Sequence, residues 1–155
     1  MTRRDTRGRR GLAAVELAVV SPLLLVLLLG LWEVGRMVEV MQIMSNAVRE
    51  GGRQASTGQK TAAQVQAAVV FYMQQNGISA VTTSNVTVSN LTSSGTDPTA
   101  ASQNDQIQVS VSIPFNSVRW ILLNQITTVS TLTASAVWYS MADTPLTVNT
   151  SIPTY

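Results

Sequence analysis

The chain has 155 residues, enough for one folded domain, and its composition excludes several classes of chemistry. It contains no Cys and no His, which excludes disulfides, thiol catalysis, the usual zinc sites and His-based catalytic triads. The net charge of +2 is unevenly spread: the first ten residues hold five of the ten basic groups, so the basic pI describes a short N-terminal segment and does not predict nucleic-acid binding.

An apolar segment from Leu12 to Trp32 follows these basic residues. About 20 helical residues cross a hydrocarbon core of about 30 Å, so the segment is long enough to span a membrane. A cleavable secretory signal is the competing interpretation, but its apolar region would have about 7–15 residues and a small-x-small cleavage site. The segment is longer and lacks that site, so we predict a signal-anchor with a transmembrane helix over 12–32.

The residues that precede the span predict its orientation, because basic residues flanking a transmembrane helix stay on the cytoplasmic side. We therefore expect residues 1–11 in the cytoplasm and the C-terminal body exported. The basic residues concerned are Arg3, Arg4, Arg7, Arg9 and Arg10.

Glu16 places a carboxylate just inside the predicted span. An acidic residue at the middle of a bilayer costs about 2.5–3.5 kcal/mol, and less near the head groups. Glu16 is therefore either tolerated near the cytoplasmic interface or has a function. We predict a function, because Gly11 and the arginines precede it at fixed offsets.

Beyond the membrane, apolar residues recur at intervals of three and four, which predicts an amphipathic helix that continues the span to about Arg49. Each glycine in a helix costs about 1 kcal/mol, so Gly51–Gly52 predicts a bend or an end. Glu33 and Arg36 are expected to be interface anchors or an i,i+3 pair. The apolar positions of this helix are Val34, Val38, Met41, Met44 and Val48.

The rest of the chain predicts a second helix followed by strands. Thr61 and Gln64 have capping-box spacing, and Gly77 is a natural helix end. Strands are predicted over 86–91, 107–113 and about 127–139, with a short helix or turn over 118–123. The predicted fold is α+β: a long N-terminal transmembrane helix continuing into the exported domain (33–142), a second helix and a small antiparallel β-sheet, followed by a loose tail over 143–155.

The N-terminal residues resemble the TadE-like family of tight-adherence (Flp-type) pilus assembly proteins. The resemblance rests on Arg9-Arg10-Gly11-Leu12-Ala13-Ala14-Val15-Glu16-Leu17-Ala18 with Pro22 in a leucine-rich span, then on Glu33-x-x-Arg36 and on 47–55. A closing strand at 132–136 is similar as well. Leu17 stands where the major pilins tend to have an aromatic residue, which favours a minor pseudopilin.

The resemblance implies a pilin-like fold and a prepilin, cut by a membrane peptidase between Gly11 and Leu12. It implies that Glu16 acts in recognition near the cut and in register between subunits. The implied partners are a prepilin peptidase, other pilins or pseudopilins, the inner-membrane assembly platform and the lipid membrane, with no nucleic acid and no cofactor. The implied location is the inner membrane, single-pass, possibly with entry into the pilus.

Three functions are weighed. The first is a minor pseudopilin that acts in pilus biogenesis, adhesion or secretion and does no chemistry itself. The alternative is an unprocessed, single-pass membrane-anchored scaffold or accessory protein of the cell envelope. An enzyme is not expected, because the acids beyond Glu50, which are Asp97, Asp105 and Asp143, have no Cys, His or nucleophile elbow beside them.

Overall fold

A computed structural model describes residues 6–119 and 129–142, with side chains from residue 11 onward. Its main elements are α1 (Thr6–Ser56), α2 (Ala62–Gln75), β1 (Val86–Asn90), β2 (Gln106–Pro114) and β3 (Thr131–Tyr139). The three strands form one antiparallel sheet in the order β1-β2-β3. The predicted α+β fold, with a long N-terminal helix, a second helix and a small antiparallel sheet, is confirmed.

Helix α1 is one continuous helix of 51 residues, about 75 Å long at 1.5 Å per residue. It continues through Pro22 in the apolar half and through Gly51–Gly52 near its C-terminus. The prediction of a helix end at the two glycines is therefore wrong. Local helix propensity disfavours glycine by about 1 kcal/mol, but tertiary packing overrides it here.

The two glycines let neighbouring elements approach α1 closely. A Cβ added at Gly51 would lie 2.5 Å from Cγ2 of Val69 on α2. A Cβ added at Gly52 would collide with the indole of Trp138 on β3, lying 2.5 Å from its Nε1. Real Cβ atoms do not come this close to other atoms, so a Cβ at either position would force the neighbouring side chain to shift.

Helix α2 begins as the sequence predicts. Thr61 accepts a hydrogen bond from the backbone N–H of Gln64 at 3.4 Å, and the Gln64 side chain accepts one from the backbone N–H of Thr61 at 3.0 Å. The helix ends at Gln75, and Gly77 adopts a φ of +83°, a conformation that favours glycine. Both the capping box and the glycine stop are confirmed.

The sheet packs its apolar face against the two helices. Along β3, Leu132, Ala134, Ala136 and Trp138 turn inward, as predicted, and pair with β2 across Ile113, Val111, Val109 and Ile107. The outer face carries mainly Ser, Thr and Gln. Strand β1 ends at Asn90 and β3 begins at Thr131, so the first strand ends before Leu91 and residues 129 and 130 lie outside the last strand.

The core lies between α1, α2 and the inner face of the sheet. Its central side chains are Val40, Met44 and Val48 from α1, Val65, Val69 and Met73 from α2, and Val88, Ile107, Val109, Val111 and Ile113 from the sheet. Two of the predicted apolar positions of α1, Met44 and Val48, are buried in this core. The other three, Val34, Val38 and Met41, are exposed.

Some predictions fall outside the described residues. These are most of the helix or turn over 118–123, the start of the last strand at 127 and 128, and the tail over 143–155.

Candidate functional site

The N-terminal half of α1 extends from the packed body as a bare apolar helix. Its most apolar 18-residue window is 0 % buried within the described part of the chain. Burying a leucine-sized side chain stabilises a protein by about 1.5–3 kcal/mol, so water is an unfavourable environment for such a helix. Gly11–Ser56 is long and apolar enough to cross a membrane, as the sequence predicts.

Gly11 and Leu12, the predicted cleavage residues, lie within α1, where the basic residues end and the apolar segment begins. Apart from the helix backbone and the adjoining residues, no described atom lies within 4 Å of a Cβ built on Gly11, and the Leu12 side chain is exposed. The peptide bond between them is helical here. Unwinding is easier at a glycine, which costs a helix about 1 kcal/mol relative to alanine.

Glu16 lies one helical turn after Leu12, so the two side chains share one side of α1. The Glu16 side chain is exposed, and no described side chain forms a hydrogen bond or an ion pair with its carboxylate. Because an unpaired carboxylate is unfavourable in a bilayer, a cationic partner would stabilise Glu16 there.

The predicted orientation residues are only partly described. Arg7, Arg9 and Arg10 lie in the first turns of α1, but their side chains are outside the description. Arg3 and Arg4 lie outside the described residues altogether. Their role in orienting the span stays a prediction.

A cluster of charged residues connects the part of α1 that directly follows the apolar segment to the residues that follow β2. The Glu33 carboxylate lies 3.8 Å from Nη1 of Arg119, and both side chains are almost fully buried. Arg36 donates from Nε to the backbone carbonyl of Val118 at 3.1 Å and from Nη1 to Glu39 at 2.9 Å. Glu33 and Arg36 were expected as interface anchors or as an i,i+3 pair, and the described ion pairs join Glu33 to Arg119 and Arg36 to Glu39.

Sequence reasoning missed Arg119 entirely. Its guanidinium lies over the ring of Phe115, 4.9 Å from the centroid, in addition to its contact with Glu33. Residues 115–119 follow β2, so the cluster joins the end of a sheet strand to the part of α1 that directly follows the apolar segment. A single arginine far along the chain carries no local signal that it will meet Glu33.

A second polar network lies near the C-terminus of α1. Arg53 donates two hydrogen bonds to Glu50, at 2.9 and 2.7 Å, and Gln54 donates a third at 2.7 Å. The Arg53 and Gln54 hydrogen bonds lower the pKa of Glu50 to about 2. The Glu50–Arg53 pair is exposed on the helix surface, as expected for a solvated face of the helix, so its stabilising effect is small.

Two of the three acids that were considered for catalysis, Asp97 and Asp105, have structural contacts, and Asp143 lies outside the described residues. Asp97 accepts hydrogen bonds from the backbone N–H and the hydroxyl of Thr99. Oδ2 of buried Asp105 accepts from Asn90 at 2.7 Å, from Ser93 at 3.1 Å and from the backbone N–H of Ser102 at 3.0 Å. These contacts, led by that of Asn90, lower the pKa of Asp105. Within 6–119 and 129–142, no group of three or more acidic residues is placed to hold a metal ion.

Comparison with known families gives one match. The family model described as TadE-like protein matches residues 11–53, which lie entirely within α1. The resemblance predicted from the sequence is confirmed over that segment, and the predicted similarity of 132–136 lies beyond it. No curated protein and no solved structure matches the chain significantly. The family match suggests involvement in tight-adherence (Flp) pilus assembly with other pilus components, consistent with a membrane-anchored protein.

Proposed function

We propose that this protein is a minor pseudopilin of a tight-adherence (Flp, type IV-like) pilus system, processed by a prepilin peptidase. The observation that carries the proposal is that the family match begins at Gly11, the residue that ends the basic leader, and covers the helix bearing Glu16. The bare apolar helix supports it further, because such a helix is suited both to a membrane and to packing among other helices.

The proposed processing step is hydrolysis of the amide bond between Gly11 and Leu12. Water adds across the bond, which leaves a carboxylate on Gly11 and an ammonium group on Leu12. The step removes all five N-terminal arginines, and with them the charges that hold the leader in the cytoplasm. The mature helix then begins with a single positive charge and is easier to extract from the bilayer.

Glu16 is proposed to act after the cut as well as in recognition. In an assembly of staggered helices, its carboxylate meets the new ammonium group of a neighbouring subunit. Coulomb attraction scales inversely with the dielectric constant, so such a pair is stronger in a bilayer than in water. This would give Glu16 the cationic partner that no described side chain supplies.

The protein itself is proposed to be a peptidase substrate and an assembly component, without catalytic activity or cofactor. It would sit in the inner membrane as a single-pass protein with its N-terminus cytoplasmic and its body exported. Its proposed partners are the prepilin peptidase, other pilins or pseudopilins and the inner-membrane assembly platform. Its action would be in pilus biogenesis, adhesion or secretion.

The proposal is tested by coexpressing the full chain with its prepilin peptidase and following the loss of the leader on a gel. We expect Gly11→Val to block the cut, because the added side chain would fill space beside the scissile bond that a glycine, which has no Cβ, leaves open to the peptidase. A control, Gly35→Val, changes a glycine in the same helix beyond the membrane and should leave the cut unchanged. An uncut wild-type chain would instead favour an unprocessed membrane-anchored scaffold or accessory protein.

The role of Glu16 in assembly is tested separately in cells that make the pilus. Glu16→Gln keeps the size of the side chain and removes its charge, so we expect pilus assembly to fall strongly. Glu50→Gln removes a carboxylate from the C-terminal part of the same helix and should have little effect, because its ion pair with Arg53 is exposed and contributes little. Equal assembly with both variants would contradict a role for Glu16.

A further inference from the structure

The two edges of the sheet differ in how far they are covered. Strand β1 has five residues, and neighbouring groups already bond to its outer edge. The carbonyl of Val86 accepts a hydrogen bond from Nε2 of Gln66 at 2.9 Å. The N–H of Asn90 donates to the carbonyl of Gly95 at 3.0 Å. Strand β3 forms the opposite edge and, among the described residues, pairs only with β2.

The register of the sheet shows which backbone groups of β3 face that opposite edge. In an antiparallel ladder, alternate residues bond to the neighbouring strand, and the residues between them point their N–H and C=O groups the other way. The N–H of Ser140 donates to the carbonyl of Asp105 at 2.8 Å, so the even-numbered residues are those that bond to β2. The odd-numbered residues face the open edge, and no described group forms a hydrogen bond with their backbone. They are Thr131, Thr133, Ser135, Val137 and Tyr139.

The sequence of β3 does not protect its open edge. A row of unpaired N–H and C=O groups is a template for another strand, and natural proteins blunt such edges with short strands, lysine, proline or a bulge. Strand β3 has nine residues, about 30 Å of strand, without a charged residue or a proline. Its register with β2 runs without a bulge. Only an extended polypeptide supplies donors and acceptors in the same repeat, so the pattern identifies the occupant as a strand.

The described part of the chain leads away from this edge. After β3, the N–H of Met141 donates to the carbonyl of Ser56 at 2.7 Å, at the end of α1. Ala142 lies beside Gly58, because a Cβ built on that glycine would be 3.3 Å from Cβ of Ala142. The chain therefore turns from β3 toward the helices, and does not turn back along the open edge as a tight hairpin would.

The direction of β3 disfavours a second copy as the occupant. Helix α1 and β3 run side by side in the same direction: Arg36 bonds to the carbonyl of Val118 near the start of β3, and Gly52 faces Trp138 near its end. Copies anchored in one membrane with one orientation therefore have parallel β3 strands, which prevents antiparallel pairing. In a parallel pair with two-fold symmetry, each free N–H would face the same N–H of the other copy.

We infer that the open edge of β3 pairs with a β-strand donated by another exported component of the pilus system. The strand bonds through its backbone to the odd-numbered residues of β3. Its inward side chains lie beside the partly buried Ala134 and Ala136, so we expect them to be apolar. Its outward side chains lie beside Thr133 and Ser135, so we expect them to be uncharged. The identity of the partner rests on the proposed function, but strand pairing and processing at Gly11 fail independently.

The state of the edge in the isolated protein is measured first. Amide hydrogen exchange of the detergent-solubilised full chain is followed residue by residue with NMR. We expect the amides of Thr133, Ser135 and Val137 to exchange about ten-fold or more faster than those of Ala134 and Ala136, which bond to β2. Equal protection would show that the chain covers its own edge, and protection that appears on raising its concentration would show a second copy there. Either result would overturn the inference.

Ser135→Pro then tests the edge in cells that make the pilus. Proline removes one N–H, and an edge strand tolerates it where that N–H faces away from the ladder. The matched control is Ser135→Thr, which changes the same side chain and keeps the N–H. Ser135→Lys is a second variant, because it keeps the backbone and adds the charge that protects natural edges. We expect the proline and lysine variants to reduce pilus assembly several-fold, and the threonine variant to assemble like the wild type.

Each variant is scored only when its melting temperature stays close to that of the wild type, so that loss of assembly does not reflect unfolding. Assembly by Ser135→Pro and Ser135→Lys equal to that of Ser135→Thr would overturn the inference. Removal of the leader is followed in the same cells. If the chain matures at Leu12 while both edge variants assemble normally, the proposed function stands and the inference fails.

Discussion

Replacing Gly52 with alanine separates two explanations for a glycine pair inside a long helix. If the pair weakens the helix, alanine at either position should stabilise the protein by up to about 1 kcal/mol through helix propensity. If the pair allows close packing, the new methyl group at position 52 must displace the indole of Trp138, whose Cγ would lie 3.0 Å from the added Cβ. Overpacking of this kind typically costs about 1–3 kcal/mol.

Gly35 provides the matched reference. It lies in the same helix and is exposed, and nothing lies within 4 Å of a Cβ built there. The propensity gain is therefore common to Gly35→Ala and Gly52→Ala, and their difference isolates the steric cost. We expect Gly52→Ala to be less stable than Gly35→Ala by about 1–3 kcal/mol. Gly51→Ala should also be less stable than the reference, through Val69.

The measurement is thermal unfolding of the detergent-solubilised full chain, followed by near-ultraviolet circular dichroism. A change of 1 kcal/mol shifts the melting temperature of a domain of this size by roughly 4 °C. Trimming the indole, with Trp138→Leu, should cost less in the Gly52→Ala background than in the wild type. Equal stabilisation by Gly35→Ala and Gly52→Ala would refute the packing explanation.

Three further predictions concern charged side chains, each measured by unfolding of the same full-length protein. Arg119→Met removes the cation that lies beside the buried Glu33 carboxylate and should destabilise the protein by about 3 kcal/mol. Adding Glu33→Leu to this variant should restore much of the lost stability. Equal stability of the single and double variants would contradict the pairing. Glu50→Gln should cost less than about 1 kcal/mol because the pair is exposed. The folded pKa of Glu50, about 2, lies below the ordinary value of 4.5, so the contribution of its carboxylate is present above pH 4.5 and is lost as the pH falls toward 2. Asp105→Asn should lower the melting temperature at pH 7 and make the melting temperature fall less on acidification. The reason is that the lowered pKa of Asp105 stabilises the folded state above the unfolded pKa, and that contribution is lost as the pH falls through the folded pKa. An unchanged dependence of the melting temperature on acid would contradict this.

The elements with strong local signals were predictable from the sequence. The alternation in 107–113 and the capping box at Thr61 depend only on residues close in the chain, and both agree with the structure. The apolar segment of α1 was equally clear, because its length and composition are themselves the signal. These local features were sufficient for the fold class and for the family resemblance over 11–53.

Features that depend on distant residues were not predictable. The continuity of α1 through Gly51–Gly52 follows from the approach of α2 and β3, which a local propensity argument does not include. Glu33 was compared with its neighbour Arg36, but its buried partner is Arg119, from the end of β2. The periodicity of α1 identified Val34 as apolar without showing whether it packs inward or outward, because the helix presents two apolar surfaces.

The central claim is that the chain is a peptidase substrate that matures at Leu12. It is tested most directly by intact mass and N-terminal sequencing of the membrane-extracted protein from cells with and without the cognate prepilin peptidase. The account predicts a chain that begins at Leu12 only when the peptidase is present. A chain that still carries Arg3 to Arg10 in both backgrounds would contradict it and would favour a permanent membrane anchor.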